Sequence, residues 1–179
     1  MKRILIIVVL LLGGYLAAFG QEFERMVFTA EDGTELNYRL LRPAETAKAK
    51  KFPLIIFLHG LGERGTDNDR QLTWGGNMFL NPVNMEKYPA YVLFPQCPET
   101  AFWAYKDIPA SYDALDAEEQ MPAPFKAVKE MIDTYLTYPD IDRSRVYIMG
   151  LSMGGMATYD MVSRFPEIFA AAIPICGAV

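Results

Sequence analysis

Four short apolar runs recur along the chain, and polar loops or helical patterns separate them. They cover residues 52–58, 91–95, 145–149 and 169–175. Runs that are apolar on both faces are typical of central parallel strands buried under helices on each side. Residues 122–138 place apolar side chains at helical spacing, and residues 154–164 predict a second helix. These patterns favour strands that alternate with helices.

Residues 25–30 and 34–41 precede these runs and have the composition of strands. They flank Glu31-Asp32-Gly33, a turn signal, and therefore predict a β-hairpin. A hairpin followed by alternating strands and helices indicates an α/β fold with a mostly parallel sheet. Residues 60–70 are expected to form a glycine-rich polar loop, and residues 98–116 an irregular segment.

The first 20 residues have the pattern of a secretory signal peptide. Lys2 and Arg3 precede an apolar run, and small residues follow as far as Gly20. We expect cleavage after Gly20, which leaves residues 21–179 as part of one domain in an exported protein. An uncleaved membrane anchor is the alternative, although the run is short for a membrane span. Export would permit a disulfide between Cys97 and Cys176, but their spacing does not show that they are close.

Composition excludes some classes of function. Of the 179 residues, 51% are hydrophobic and 22% are charged, which suits a globular domain. The net charge of -5 argues against a nucleic-acid partner. No phosphate-binding glycine motif is present, so no nucleotide cofactor is predicted. Residues 67–69 (Asp-Asn-Asp) lack the spacing of a calcium loop, so a solvated loop is expected there and no metal site.

The motif Gly150-Leu151-Ser152-Met153-Gly154 lies between an apolar run and a predicted helix. This G-x-S-x-G context predicts a nucleophile elbow with Ser152 as the attacking group. Gly150 and Gly154 leave room for a sharp reversal of the chain. The Met153 N–H, at the start of the helix, is a candidate oxyanion donor.

A second motif, His59-Gly60-Leu61-Gly62, follows the strand at residues 52–58. Its glycines allow the backbone N–H of Leu61 or Gly60 to face a substrate oxygen. His59 is the only histidine of the chain. It either orients this loop through bonds to the backbone or serves as the base for Ser152. The order Ser, then Asp or Glu, then His of α/β-hydrolases favours the first role.

Three stretches together carry a family resemblance: PLIIFLHGLGERGTDNDR, VLFPQCPE and IDRSRVYIMGLSMGGMATYDM. Across residues 52–176 the chain resembles secreted serine esterases of the α/β-hydrolase superfamily. The most similar group is polyhydroxybutyrate-depolymerase-like and feruloyl- or acetylxylan-esterase-like; phospholipase/carboxylesterases and prolyl-oligopeptidase-like enzymes are related.

The resemblance implies a role for several residues. Ser152 would form an acyl-enzyme from a small-molecule or polysaccharide-linked ester, and Leu61 and Met153 would donate to the oxyanion. Trp103 and Trp74 are candidate substrate-pocket residues, and ordinary packing is the alternative for both. A peptidase of the prolyl-oligopeptidase type and a catalytically dead binding module are the competing functions.

The chain departs from the family pattern after the strand that follows Ser152. The family continues with further strands and helices that carry an Asp and a His, whereas this chain ends at Val179 without a second histidine. We expect the N-terminal portion of a longer hydrolase, nearly inactive alone, with an apolar strand at residues 169–175 on a sheet edge.

Overall fold

The computed structural model describes residues 22–44, 47, 49–104 and 121–177. Within these ranges the chain forms six strands, four helices and two short 3-10 turns (Leu61–Glu63 and Arg70–Leu72). The strands are β1 (Glu24–Thr29), β2 (Glu35–Leu41), β3 (Phe52–Leu58), β4 (Tyr91–Pro95), β5 (Ile141–Leu151) and β6 (Ala171–Ile175). The helices are α1 (Gly76–Phe79), α2 (Pro82–Lys87), α3 (Ala123–Leu136) and α4 (Met153–Arg164).

The N-terminal segment with the signal-peptide pattern and most of the predicted irregular segment lie outside the described residues. In the described part of the chain, no helix has the length and apolar character that a membrane crossing requires.

All six strands join one mixed sheet in the order β1-β2-β4-β3-β5-β6. β1 and β2 form the predicted antiparallel hairpin, and β2 also pairs antiparallel with β4. From β4 onward, the pairs β3–β4, β3–β5 and β5–β6 are parallel. The α/β class predicted from the sequence is therefore confirmed.

Strand β3 shows why the central runs are apolar throughout. Leu54, Ile56 and Leu58 pack on the side of the sheet that α3 and α4 cover. Phe57 points to the opposite side and joins a second core cluster with Phe94. Both faces of β3 therefore contribute to a buried cluster, while Pro53 and Ile55 remain half-buried.

Helix α3 buries the stripe that its periodicity predicted. The buried apolar side chains on this helix include Phe125, Val128, Met131, Ile132 and Tyr135. Helix α4 packs against β5 and β6 and thereby fixes the segment that follows Ser152.

Two features of the fold differ from the expectation. Strand β5 begins at Ile141, four residues earlier than its apolar run, because Ile141 pairs with Phe52 across an irregular register. The short helices α1 and α2 were not predicted, since neither is long enough to show a periodicity. Asn81 accepts a hydrogen bond from the Val83 N–H, and Pro82 occupies the first turn. An Asn followed by a Pro is typical of a helix start, so these two residues could have predicted the start of α2.

The prediction of a fourth buried strand at residues 169–175 was wrong in two respects. β6 begins at Ala171, and its residues are exposed or half-buried, with Ile173 54% exposed. Among the described strands β6 pairs only with β5. β6 lies at the edge of the described sheet, and among the described helices only α4 packs closely against it, which explains the exposure.

The polar loop at residues 67–69 is less solvated than expected. Asn68 is buried, its amide donates to the Met26 carbonyl, and its backbone N–H donates to Gln96. Asp69 forms an ion pair with Arg39 at 2.6 Å and another with Arg25. The loop therefore ties the hairpin to the carboxyl end of β4.

Candidate active site

Ser152 sits in a strained turn between β5 and α4. Its φ of 52° and ψ of -112° lie in a backbone region that non-glycine residues seldom adopt, and its side chain is exposed. The Ser152 N–H donates to the Ile175 carbonyl at 2.8 Å, and the Ser152 carbonyl accepts from the Met156 N–H. The turn thus presents the hydroxyl-bearing side chain to solvent while its backbone is held on both sides.

Close backbone approach explains the glycines that flank the serine. A Cβ at Gly154 would overlap the Leu58 carbonyl oxygen, and one at Gly150 would overlap the Gly154 carbonyl oxygen. A Cβ at Gly155 would lie 2.7 Å from the Ile175 oxygen. The elbow therefore packs directly against the ends of β3 and β6.

The loop that follows β3 lies beside the serine. A Cβ placed on Gly60 would lie 3.7 Å from the Ser152 Cβ and 3.5 Å from the Leu151 carbonyl oxygen. Glu63 Oε2 lies 3.0 Å from the same position, so the loop with Gly60 and Glu63 lies close to the serine. The two motifs, separated by about 90 residues in sequence, are thus brought into one site.

Side chains hold three successive carbonyls of this loop. Trp103 Nε1 donates to the His59 carbonyl at 3.1 Å, and Arg64 Nε donates to the Leu61 carbonyl at 3.2 Å. The carbonyl between them, of Gly60, is 2.6 Å from His59 Nδ1. Because a trans peptide directs its C=O and N–H to opposite sides, the bond to the Gly60 carbonyl also fixes the direction of the Leu61 N–H.

His59 is buried and both of its ring nitrogens are occupied by backbone groups. The Cys97 N–H donates to Nε2 at 2.9 Å, so Nε2 is the acceptor and Nδ1 carries the proton that it donates to the Gly60 carbonyl. Burial lowers the pKa of His59 from its ordinary value of 6.5 to about 4. In this arrangement neither nitrogen can accept a proton from Ser152.

This buried imidazole predicts a pH dependence of stability. The pKa of about 4 in the folded state lies below the ordinary 6.5, so the unfolded chain binds the extra proton first as pH falls. The His59 contribution is complete above about pH 6.5 and is lost between pH 6.5 and about pH 4, by about 3 kcal/mol. Urea unfolding at several pH values, compared between the wild-type chain and His59→Gln, measures it. An unchanged pH slope in the variant would contradict this prediction.

The two cysteines are both free. Cys97 is buried, and burial raises the pKa of its thiol to about 12, whereas Cys176 is exposed. The thiol of Cys97 is therefore not a nucleophile at neutral pH. Its contribution to the site is the backbone N–H that holds His59.

The two tryptophans occupy different environments. Trp103 is fully buried, and its ring lies 5.2 Å from the His59 ring between centroids, so it packs behind the loop. Trp74 is 56% exposed, and its Nε1 donates to Glu63 Oε1 at 3.1 Å. Only Trp74 offers a free ring surface.

Two charged residues of the site were not singled out from the sequence. Arg64 holds the Leu61 carbonyl and also donates to the carbonyls of Glu99 and Ala101. Glu63 bonds Trp74. Their position could have indicated this role, because charged side chains directly after a glycine-rich loop can form hydrogen bonds to that loop.

A sheet of this order, with a serine elbow after a parallel strand and a glycine loop beside it, defines an α/β-hydrolase. Comparison with known families agrees with this class. The chain belongs to the phospholipase/carboxylesterase family, whose sequence signature matches residues 44–178. The family resemblance predicted from the sequence is thereby confirmed.

Individual relatives show the same relationship. Feruloyl esterase B of Neurospora crassa is 29% identical over 142 residues, which are 79% of this chain and 44% of the relative. Poly(3-hydroxyalkanoate) depolymerase C of Paucimonas lemoignei is 43% identical over 51 residues, 28% of this chain and 12% of the relative. The crystal structure of a thermostable esterase matches 88% of this chain and 42% of its own, with a TM-score of 0.77 and 39% identity. The chain thus spans less than half the length of these relatives.

Proposed function

We propose that this chain carries the nucleophile and the oxyanion hole of an exported serine esterase. Ser152 would attack the carbonyl carbon of a carboxylic ester, and the N–H groups of Leu61 and Met153 would stabilise the oxyanion. The strained backbone of Ser152 beside Gly60 is the observation that carries this proposal. Such strain is characteristic of functional sites.

The chemistry proceeds in two steps. Ser152 Oγ forms a bond to the carbonyl carbon, its proton passes through a base to the leaving alcohol, and an acyl-enzyme remains. Water then attacks the acyl carbon, gives its proton to the same base, and the acid leaves as the Ser152 hydroxyl re-forms. Both steps need a group that can accept a proton near Ser152.

His59 does not provide this base, because both of its nitrogens are bonded to backbone groups. It is also the only histidine of the chain. We therefore place the base and its orienting carboxylate in a further segment of a longer protein. The greater length of the esterase relatives supports this assignment.

The substrate class follows from the names of the relatives. A feruloyl esterase and a polyhydroxyalkanoate depolymerase both indicate a carboxylic ester, free or linked to a polymer. Export follows from Lys2, Arg3 and the apolar run after them. The domain would then begin at residue 21.

A fluorophosphonate probe tests the role of the serine. We expect slow labelling of the 179-residue chain, confined to Ser152 and lost in Ser152→Ala, as read by intact mass and peptide mapping. Ser163→Ala, which removes an exposed serine from α4, is the matched control and should label like wild type. Equal labelling of Ser152→Ala and wild type would refute the assignment. Hydrolysis of a nitrophenyl ester against a nitroanilide separates an esterase from a peptidase.

A further inference from the structure

Arg64 forms hydrogen bonds to two separate segments of the chain. Its Nε donates to the Leu61 carbonyl at 3.2 Å, within the loop that follows β3. One of its terminal nitrogens donates to the carbonyls of Glu99 and Ala101, each at 2.9 Å, in the segment that follows β4. The guanidinium carbon also lies 4.8 Å from the ring centroid of Phe102. Because a planar guanidinium presents its donors in a fixed fork, these bonds hold the two segments in one relative position.

The loop and the segment after β4 are also joined around His59. The Cys97 N–H donates to His59 Nε2 at 2.9 Å, and the Cys97 carbonyl accepts from the Gly65 N–H at 2.9 Å. Trp103 Nε1 donates to the His59 carbonyl at 3.1 Å. These bonds fix the two ends of the loop, at residues 59 and 65. The bond from Arg64 holds the loop between those ends, at Leu61.

The bond from Arg64 restrains the second of the two peptide planes that meet at Leu61. The first plane carries the Gly60 carbonyl and the Leu61 N–H, and His59 Nδ1 holds that carbonyl at 2.6 Å. The second plane carries the Leu61 carbonyl, which accepts from Arg64. A residue has only φ and ψ as soft dihedrals, so holding both planes leaves the Leu61 N–H little freedom to turn. A donor to an oxyanion acts best when it is held in place before the reaction.

We propose that Arg64 is a positioning residue of the oxyanion hole, which holds the Leu61 carbonyl against the segment that follows β4. Its effect on the reaction passes through the direction of the Leu61 N–H. This inference rests on the proposed function, because an oxyanion arises only if Ser152 attacks the substrate. Removing one oxyanion donor typically lowers a rate by about 10²- to 10³-fold. Loosening a donor costs less, so we expect a fall of about 10- to 100-fold when Arg64 is replaced.

Fluorophosphonate labelling of Ser152 measures this effect, because the phosphonyl oxygen gains negative charge as the serine attacks. Intact mass against time gives the maximal labelling rate and the probe concentration for half of that rate. In Arg64→Ala the maximal rate should fall about 10- to 100-fold, with the half-maximal concentration unchanged. Arg70→Ala, which removes a nearby arginine paired with Asp67 and Glu99, is the matched control and should label like wild type. An unchanged maximal rate in Arg64→Ala would overturn the inference.

Chemical rescue separates the fork of hydrogen bonds from the positive charge. Ethylguanidinium can enter the space left in Arg64→Ala and donate to the same carbonyls, whereas ethylammonium supplies a charge without the planar fork. We expect ethylguanidinium, below denaturing concentrations, to restore labelling several-fold and ethylammonium to leave it unchanged. Arg64→Lys keeps the charge but should label slowly, and it carries the test if Arg64→Ala does not fold. Equal rescue by the two cations, or wild-type labelling of Arg64→Lys, would overturn the positioning role in favour of the charge alone.

The outcomes distinguish this inference from the proposed function. If the wild-type chain is labelled at Ser152 and Arg64→Ala is labelled equally fast, the inference fails and the esterase proposal stands. If the wild-type chain is not labelled at Ser152, the esterase proposal fails and the inference fails with it. A lower free energy of unfolding in Arg64→Ala with unchanged labelling would show that the bonds of Arg64 stabilise the fold without serving the reaction, which also overturns the inference.

Discussion

Replacing Gly154 by alanine is expected to destabilise the protein by about 4 kcal/mol or more, enough to prevent stable folding of a marginal domain. The added methyl group would occupy the position of the Leu58 carbonyl oxygen and crowd the His59 carbonyl. These are backbone atoms of the strand and loop beneath the elbow, so no side-chain rotation can relieve the overlap. Urea unfolding followed by circular dichroism measures the loss.

Gly62→Ala is the matched control for this substitution. A Cβ at Gly62 meets no atom within 4 Å, and the residue lies in the 3-10 turn that follows His59 and Gly60. The free energy of unfolding should stay within about 0.5 kcal/mol of the wild-type value. A Gly154→Ala protein as stable as Gly62→Ala would show that the elbow and β3 can move apart, contrary to the packing described here.

The second large effect is expected on catalysis. The 179-residue chain should hydrolyse a nitrophenyl ester about 10⁴- to 10⁶-fold more slowly than a full-length esterase of the family. This range is the typical result of removing one or more groups of a catalytic triad while the oxyanion donors remain. The physical reason is that a serine hydroxyl keeps its proton unless a base accepts it, and the proposed base belongs to a further segment. Initial rates, with the Ser152→Ala rate subtracted, give the residual activity.

Added imidazole distinguishes a missing base from a misfolded site. Imidazole that reaches the exposed Ser152 should raise the Ser152-dependent rate in proportion to the imidazole concentration. The rate of Ser152→Ala should stay equal to the rate without protein at each imidazole concentration. If His59 were the base, His59→Gln would abolish the residual rate, and imidazole would have little effect on wild type. A wild-type rate equal to that of a full-length esterase would contradict the proposal of a missing base.

The strands and the turn at Ser152 were predictable because their causes are local. β3 contributes to a buried cluster on each face, so its whole run is apolar, and the run alone gave the same bounds as the structure. The turn at Ser152 could be predicted equally well, because the close backbone contacts that require Gly150 and Gly154 produce a motif of five consecutive residues. Helix α3 was predictable for a related reason, because its buried stripe repeats at the helical period.

Other parts depend on contacts between distant segments, which no local pattern encodes. The insertion of β4 between β2 and β3 requires a choice among strand partners of similar apolar composition. The state of His59 depends on Cys97 and Trp103, which lie about 40 residues further along the chain. The exposure of β6 depends on which helices cover it rather than on its own residues, which explains why an apolar run was mistaken for a buried strand.

The hydrogen bond from the Ser152 amide to the Ile175 carbonyl has a consequence for synthesis on the ribosome. The serine is translated before the strand that anchors its backbone, and Gly155 also packs against Gly177. The N-terminal part of a nascent chain folds while later residues are still being added. The elbow can therefore gain this anchor only after β6 has left the exit tunnel, so the strained turn is fixed later than the translation of its own residues.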